Sequence, residues 1–269
     1  MALAAIPMTD ALAKRLSGSP LVLFLDIDGT LAPIAPRPEY ALIPAETRDA
    51  LRSLVQLPHV HVAIVSGRSA RDAARLVAMD SVWIIGNHGF ELAAPGEPPE
   101  ARPDVAAYEE QVAIAASACA TFAAEIEGVI VEDKRWTLSV HYRLAHPRFV
   151  PEIRERMEAI ARETGLRLTS GKEVLELRPP VAVDKGTAAV ELARHLGALA
   201  DGGSSLFAGD DRTDEDAFRE LREAWPLAVT IRVAAEAVET AAEFCVPDTD
   251  AVRELLRAVV ALRKESRAA

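Results

Sequence analysis

Short apolar runs alternate with helical stretches along most of the chain. Residues 21–26 (LVLFLD), 60–65 (VHVAIV), 82–86, 205–209 and 229–233 are almost continuously apolar. A strand reads this way when both of its faces are buried, as in a parallel sheet covered by helices. Between these runs, residues 45–56, 70–79, 187–196, 214–223 and 251–264 are rich in Ala, Leu, Arg and Glu, which predicts helices. Strand–helix alternation of this kind predicts an α/β doubly wound, Rossmann-like core.

The alternation is interrupted once, between the proline-rich stretches 95–103 (PGEPPEARP) and 178–180 (RPP). Proline continues neither a helix nor a central strand, so such clusters mark linkers. The order inside the interruption is a long Ala-rich helix near 104–127, then strands 129–133 and 136–142 across a two-residue turn. A helix at 151–164 and strands 167–169 and 174–178 follow. Short turns between adjacent strands imply antiparallel pairing. The expectation is a core of residues 1–103 and 181–269 carrying an inserted α+β cap, 104–180.

Composition narrows the classes. Half of the 269 residues are hydrophobic and 26% are charged, which excludes disorder over most of the length. No apolar run reaches the ~18–20 residues that span a bilayer. Residues 1–7 are apolar, but they lack a basic start and soon meet Asp10, so a secretory signal is not expected and the expected location is cytoplasmic. The net charge is −11, from 30 basic and 41 acidic residues, and no basic run exceeds two residues. Neither nucleic acid nor a membrane is an expected partner. Cys119 and Cys245 stand alone, which predicts reduced, buried thiols rather than a disulfide or zinc site. His59 and His61 have no third ligand at metal-binding spacing and are expected at the surface beside a strand.

Candidate chemistry lies at the predicted strand ends, where doubly wound sheets bind ligands. The first strand closes on Asp26-Ile27-Asp28-Gly29-Thr30, two acids that repel each other unless a cation or a reaction holds them. Ser66-Gly67-Arg68 ends the second strand and opens a helix, an arrangement suited to anions. Lys185 precedes a helix after the insertion. Asp210 and Asp211 follow the fourth strand, whereas Asp214 in a first helical turn is also explained by the helix dipole. Carboxylates, a hydroxyl and an ammonium together suit phosphoryl transfer. Hard oxygen donors beside a phosphate select Mg²⁺ over zinc.

Residues 25–31 (LDIDGTL), the SGR triplet, the isolated lysine and 209–218 (GDDRTDEDAF) resemble the four motifs of the haloacid-dehalogenase-like (HAD) phosphatases. Residues 84–91 (IIGNHGFE), 131–143 (VEDKRWTLSVHYR) and 171–179 (GKEVLELRP) are similar to blocks of one family, the trehalose-6-phosphate phosphatases. The resemblance implies a Mg²⁺-dependent hydrolase of trehalose 6-phosphate, the last step of trehalose biosynthesis. It also implies a functional link to a trehalose-phosphate synthase. By the same resemblance Asp26 is the nucleophile and Asp28 the acid–base. Mg²⁺ is held by Asp26, Asp210 and the Asp28 carbonyl, with Asp211 and Asp214 completing or bracing its shell. Ser66 and Lys185 hold the phosphoryl group, with Gly67 and Arg68 beside them. Glu132, Lys134, His141, Arg143, Lys172 and Glu176 in the cap contact the sugar, and Asn87 and His88 add contacts from the core. Phosphatases of sucrose-phosphate or mannosyl-phosphoglycerate and phosphomannomutases share the core motifs, so only the cap blocks favour trehalose. A phosphorelay receiver is disfavoured, because there the acidic pair precedes the lysine.

Overall fold

The structure is a computed structural model that describes residues 8–171 and 173–265, so the apolar start of the chain and Lys172 lie outside the described residues. In chain order the strands are β1 (Leu21–Leu25), β2 (Val60–Val65), β3 (Trp83–Gly86), β4 (Glu91–Ala93), β5 (Glu100–Ala101), β6 (Ile130–Asp133), β7 (Leu138–His141), β8 (Arg167–Gly171), β9 (Val174–Arg178), β10 (Ser204–Gly209), β11 (Val229–Val233) and β12 (Phe244–Val246). The α-helices are α1 (Asp10–Leu16), α2 (Ala45–Val55), α3 (Ala70–Val77), α4 (Pro103–Ala106), α5 (Glu109–Ala123), α6 (Val150–Thr164), α7 (Lys185–His195), α8 (Arg212–Ala224) and α9 (Thr249–Glu265). Two compact units result. The first runs to Glu100 and resumes at Val183, and the second is Ala101–Ala182.

The core sheet has the order β12-β11-β10-β1-β2-β3-β4-β5. From β12 to β3 every neighbouring pair is parallel, and β4 returns antiparallel to β3. Successive side chains of a strand point to opposite faces, and β1 is buried on both. Leu21, Leu23 and Leu25 pack with Leu16 of α1, Leu51 and Leu54 of α2, Val77 of α3 and Leu256 of α9. Val22 and Phe24 face the other layer, with Ala189 and Ala193 of α7 and Ala217, Phe218 and Leu221 of α8. Helices therefore cover both faces, as the unbroken apolar runs require.

The inserted unit carries its own sheet, β6-β7-β9-β8, antiparallel throughout. Leu138, Val140, Leu175 and Leu177 point to one face and pack with Phe122 of α5 and Ile153 and Met157 of α6.

Several local expectations change. The long helix expected at 104–127 is two, α4 and α5; Glu109 and Glu110 restart it, since acids favour a first turn. The β6–β7 connection has four residues rather than two: Arg135 takes a left-handed φ of 70° and Lys134 N–H bonds the Thr137 carbonyl. β4, β12 and α1 are too short to leave a period in the sequence. Lys185 opens α7 instead of preceding it, with Asp184 as the cap. Cys119 is buried, but Cys245 is only half-buried. Half-buried His61 lies within β2, whereas His59 is exposed just before it. No described helix is long and apolar enough to cross a membrane.

The aromatic centre of the core gives a stability test. Phe207 of β10 stacks on Phe24 at 6.0 Å and meets Phe218 edge-on at 5.6 Å. Phe207→Ala is expected to lower the unfolding free energy of the core by about 3–5 kcal/mol through transfer and cavity losses. Denaturant titration checks it.

Candidate active site

Chain order runs outward from β1 through β2 to β3 on one side, and from β10 through β11 to β12 on the other. The switch point of the sheet therefore lies between β1 and β10, where a crevice opens at the strand ends. Asp26 follows β1 and Asp210 follows β10, one on each side of it. Gly29 turns the chain with φ +90°, and a Cβ at this position would collide with the Asp210 carboxylate. Gly209 likewise leaves room for Asp214. Glycine at these two places lets the carboxylates approach the backbone.

The start of α8 orients the acids. Asp211 is the N-cap, accepting from Asp214 N–H, and Asp214 closes a capping box from the third helical position. Asp214 Oδ2 accepts the backbone N–H groups of Asp210 and Asp211, each at 3.0 Å. Its other oxygen accepts from Lys185 Nζ at 2.9 Å. Lys185, only 1% exposed, also donates to Asp26 Oδ1 at 2.8 Å and lies 3.8 Å from Asp211.

These contacts set the charges. Burial opposes the Lys185 cation, but Asp211, Asp214 and Asp26 outweigh it and raise its pKa well above the ordinary value. Burial pushes Asp26 up to about 7 against the pull of Lys185. Burial also raises Asp214 well above the carboxylate range. For Asp211 burial acts upward, yet Lys185 and its hydrogen bonds to Asp214 and Thr213 hold it well below that range. Asp210 is raised to about 7 by burial and by repulsion from Asp214 and Asp211.

Asp26, Asp210 and Asp214 each offer a carboxylate oxygen within 4.8 Å of the others. Asp210 Oδ1 is buried without a hydrogen-bond partner. Three oxygen donors, one of them unsatisfied, fit a hard divalent cation. Asp28 and Asp211 lie outside this trio: Asp211 caps α8, and Asp28 turns its carboxylate to Arg68.

Ser66, Gly67 and Arg68 form the turn from β2 towards α3. Ser66 Oγ accepts from Arg68 N–H at 3.2 Å. The turn is tied to Asn87 and His88, both at positive φ, because Asn87 N–H bonds the Arg68 carbonyl and His88 N–H the Ser66 carbonyl. The His88 ring lies against Gly67. Asn87 Nδ2 donates to Glu91, which also accepts from Ala70 N–H. Glu91 and Asp72, a second partner of Arg68, escaped the sequence reading. For Asp72 the Arg68–Asp72 spacing of four was an available signal; for Glu91 there was none.

In the second unit, Glu132, Ser139, Glu176 and Thr169 lie in one cross-strand row, opposite the apolar face. Glu176 accepts from Lys134 at 3.1 Å and from Ser139 at 3.1 Å, and it also pairs with Arg178. His141 Nε2 lies 2.9 Å from Glu132. Arg143 falls beyond the end of β7, where it pairs with exposed Glu173.

A doubly wound switch point that gathers aspartates around a buried lysine defines the class: an α/β fold whose carboxylate–ammonium site suits phosphoryl transfer. The fold matches a solved trehalose-6-phosphate phosphatase related protein with TM-score 0.80 at 28% identity, covering 91% of this chain and 99% of that one. Residues 24–250 match the trehalose-phosphatase family model, and the chain belongs to that family. It is 38% identical over 211 residues to a trehalose-phosphate phosphatase of Mycobacterium avium, covering 78% of this chain and 54% of that protein. It is 38% identical over 222 residues to a Mycobacterium tuberculosis protein named as an uncharacterized glycosyl hydrolase, covering 81% of this chain and 16% of that protein. The chain thus spans about half of one relative and a sixth of the other.

The carboxylate trio makes stability depend on pH. Folded Asp210 keeps its proton up to about 7, while the unfolded chain releases it near 3.8. A raised folded pKa stabilises fully below the lower value, and the effect is lost as pH rises through the higher one. Without divalent cations the melting temperature is therefore expected to fall between about pH 4 and 7. Mg²⁺ should reverse the decline, and Asp210→Asn should lessen it, leaving the share of Asp26 and Asp214. Melts in chelator and in Mg²⁺ across this range check both.

Proposed function

We propose that the chain hydrolyses trehalose 6-phosphate to trehalose and phosphate, with Mg²⁺ as cofactor and an aspartyl-phosphate on Asp26 as intermediate. The observation that carries this is Lys185, bonded at once to the nucleophile candidate Asp26 and to Asp214 at the sheet's switch point. The substrate follows from family membership, which extends through the inserted unit.

In this reading an Asp26 oxygen attacks phosphorus while the bond to the sugar oxygen breaks. Asp28 gives that oxygen its proton. Water then attacks phosphorus, the acyl–phosphate bond breaks, and Asp28 takes the water's proton, so each half-reaction has its acid or base. The Ser66 hydroxyl and the Lys185 ammonium hold the phosphoryl oxygens, with Gly67 and the buried turn of Asn87 and His88 framing them. Asp26, Asp210, Asp214 and the Asp28 carbonyl would hold the cation, braced by Asp211. When bound, it screens the crowded carboxylates and the charge of the phosphoryl group.

The polar row of the inserted unit reads the sugar, through Glu132, Lys134, His141 and Glu176, joined by Arg143 and Lys172. Its support is that Glu132, His141 and Glu176 lie on the sheet face opposite the apolar packing, with Lys134 bonded to Glu176. The reading also includes a cytoplasmic setting and a trehalose-phosphate synthase as the source of substrate.

Phosphate release from a panel of sugar phosphates with Mg²⁺ tests the function. Trehalose 6-phosphate should be turned over far faster than sucrose-phosphate or mannose phosphates. A preference for one of the others refutes the substrate assignment. Asp26→Asn should abolish turnover without changing the far-UV spectrum, because uncatalysed phosphate ester hydrolysis is too slow to rescue it. Glu132→Ala should lower kcat/KM on trehalose 6-phosphate by about 10- to 150-fold, the worth of a hydrogen bond to a charged group. The loss on p-nitrophenyl phosphate should be slight. Steady-state kinetics on the two substrates check this split.

A further inference from the structure

Arg68 was expected to meet the phosphate, yet its guanidinium is committed to the protein. Nε donates to Asp28 Oδ2 at 2.7 Å and Nη2 to Asp28 Oδ1 at 2.8 Å, a two-pronged pair. Nη1 donates to Asp72 at 2.7 Å, and Nη2 reaches the Pro38 carbonyl at 3.0 Å. Four of the five N–H donors available to a guanidinium are thus engaged. The side chain is buried, while Asp28 keeps 38% of its side chain exposed. Such a two-pronged grip fixes the position and plane of a carboxylate.

We propose that Arg68 is a positioning residue for the second half-reaction: it holds the Asp28 carboxylate as proton acceptor for the water that hydrolyses the aspartyl-phosphate. Each oxygen bonded to the fork retains a second lone pair for a water proton. In the step, the water oxygen bonds phosphorus, the acyl oxygen–phosphorus bond breaks, Asp26 returns as carboxylate and the proton goes to Asp28. Donating that proton to the next leaving oxygen needs the fork to loosen. Asp72 anchors Arg68 from α3, and the Pro38 carbonyl anchors it from the loop after β1.

This inference rests on the roles given above to Asp26 and Asp28, and p-nitrophenyl phosphate separates the two. Its leaving group departs without a proton, so its first half-reaction does not need Asp28. Arg68→Gln is expected to lower kcat by about 10- to 100-fold, part of the usual worth of a general base. Its kcat/KM, which reports the first half-reaction alone, should change by no more than about threefold. Mixing should give a burst of nitrophenolate close to one per enzyme, as phosphoenzyme accumulates. Asp28→Asn should show the same signature, and the double variant should be no slower than Asp28→Asn. Arg68→Lys, which keeps the charge without the fork, carries the same test if Arg68→Gln does not fold. Equal losses in kcat and kcat/KM with no burst would overturn the inference, since Arg68 would then act on the phosphate itself. Additive losses in the double variant would overturn it too. A wild-type enzyme that hydrolyses neither ester instead overturns the phosphatase reading.

Discussion

One ammonium group organises the candidate active site. Lys185 is enclosed at the start of α7, and burial alone would strip its proton. Asp26 and Asp214 keep it charged, and it in turn holds them together where they would otherwise repel. The balance is incomplete, because one positive charge faces Asp26, Asp211 and Asp214, with Asp210 beside them. Burial and mutual repulsion of these acids, expressed in the raised pKa values and the unsatisfied Asp210 oxygen, are what a divalent cation relieves.

Topology brings these groups to one point. Strands extend to either side from β1 and β10, so their adjoining ends open a crevice that a sequentially ordered sheet would not have. The apolar filling that fixes the sheet is on the same strands: Phe24 and Phe207 stack within a few residues of Asp26 and Asp210. The capping box of α8 adds a second constraint. It uses Asp211 and Asp214 to satisfy helix N–H groups while Asp214 also meets Lys185. Helix start and candidate active site are thus one hydrogen-bonded unit. A change to either acid should disturb both.

The doubly wound core was legible because burial on both faces leaves continuous apolar runs, as in β1, β2 and β10. The strand-end acids were legible because two crowded carboxylates after β1 and two after β10 exceed what a single cap uses, although Asp211 does cap α8. The edges were not: β4 and β12 have three residues each, too few for a period. The partners of Arg68 were hidden for a different reason. The side chain was read as an anion donor from its place after Ser66, whereas the contact that claims it comes from forty residues earlier, in Asp28. Glu91 was equally hidden, since its bonds to Asn87 and Ala70 depend on β4 folding back beside β3. In the inserted unit, parity suggested pairs along each strand, such as Glu132 with Lys134. Antiparallel register produced cross-strand contacts, Glu132 with His141 and Lys134 with Glu176.

The central claim is that Lys185 and its carboxylates make Asp26 the group that takes the phosphoryl. Acid quenching during turnover of trehalose 6-phosphate, followed by peptide mapping, tests it most directly. The account predicts an acid-stable, base-labile phosphoryl group on the peptide that contains Asp26, present only while substrate remains. A phosphoryl group on Asp210 or Asp214, or turnover with no phosphorylated peptide at any time, would contradict it.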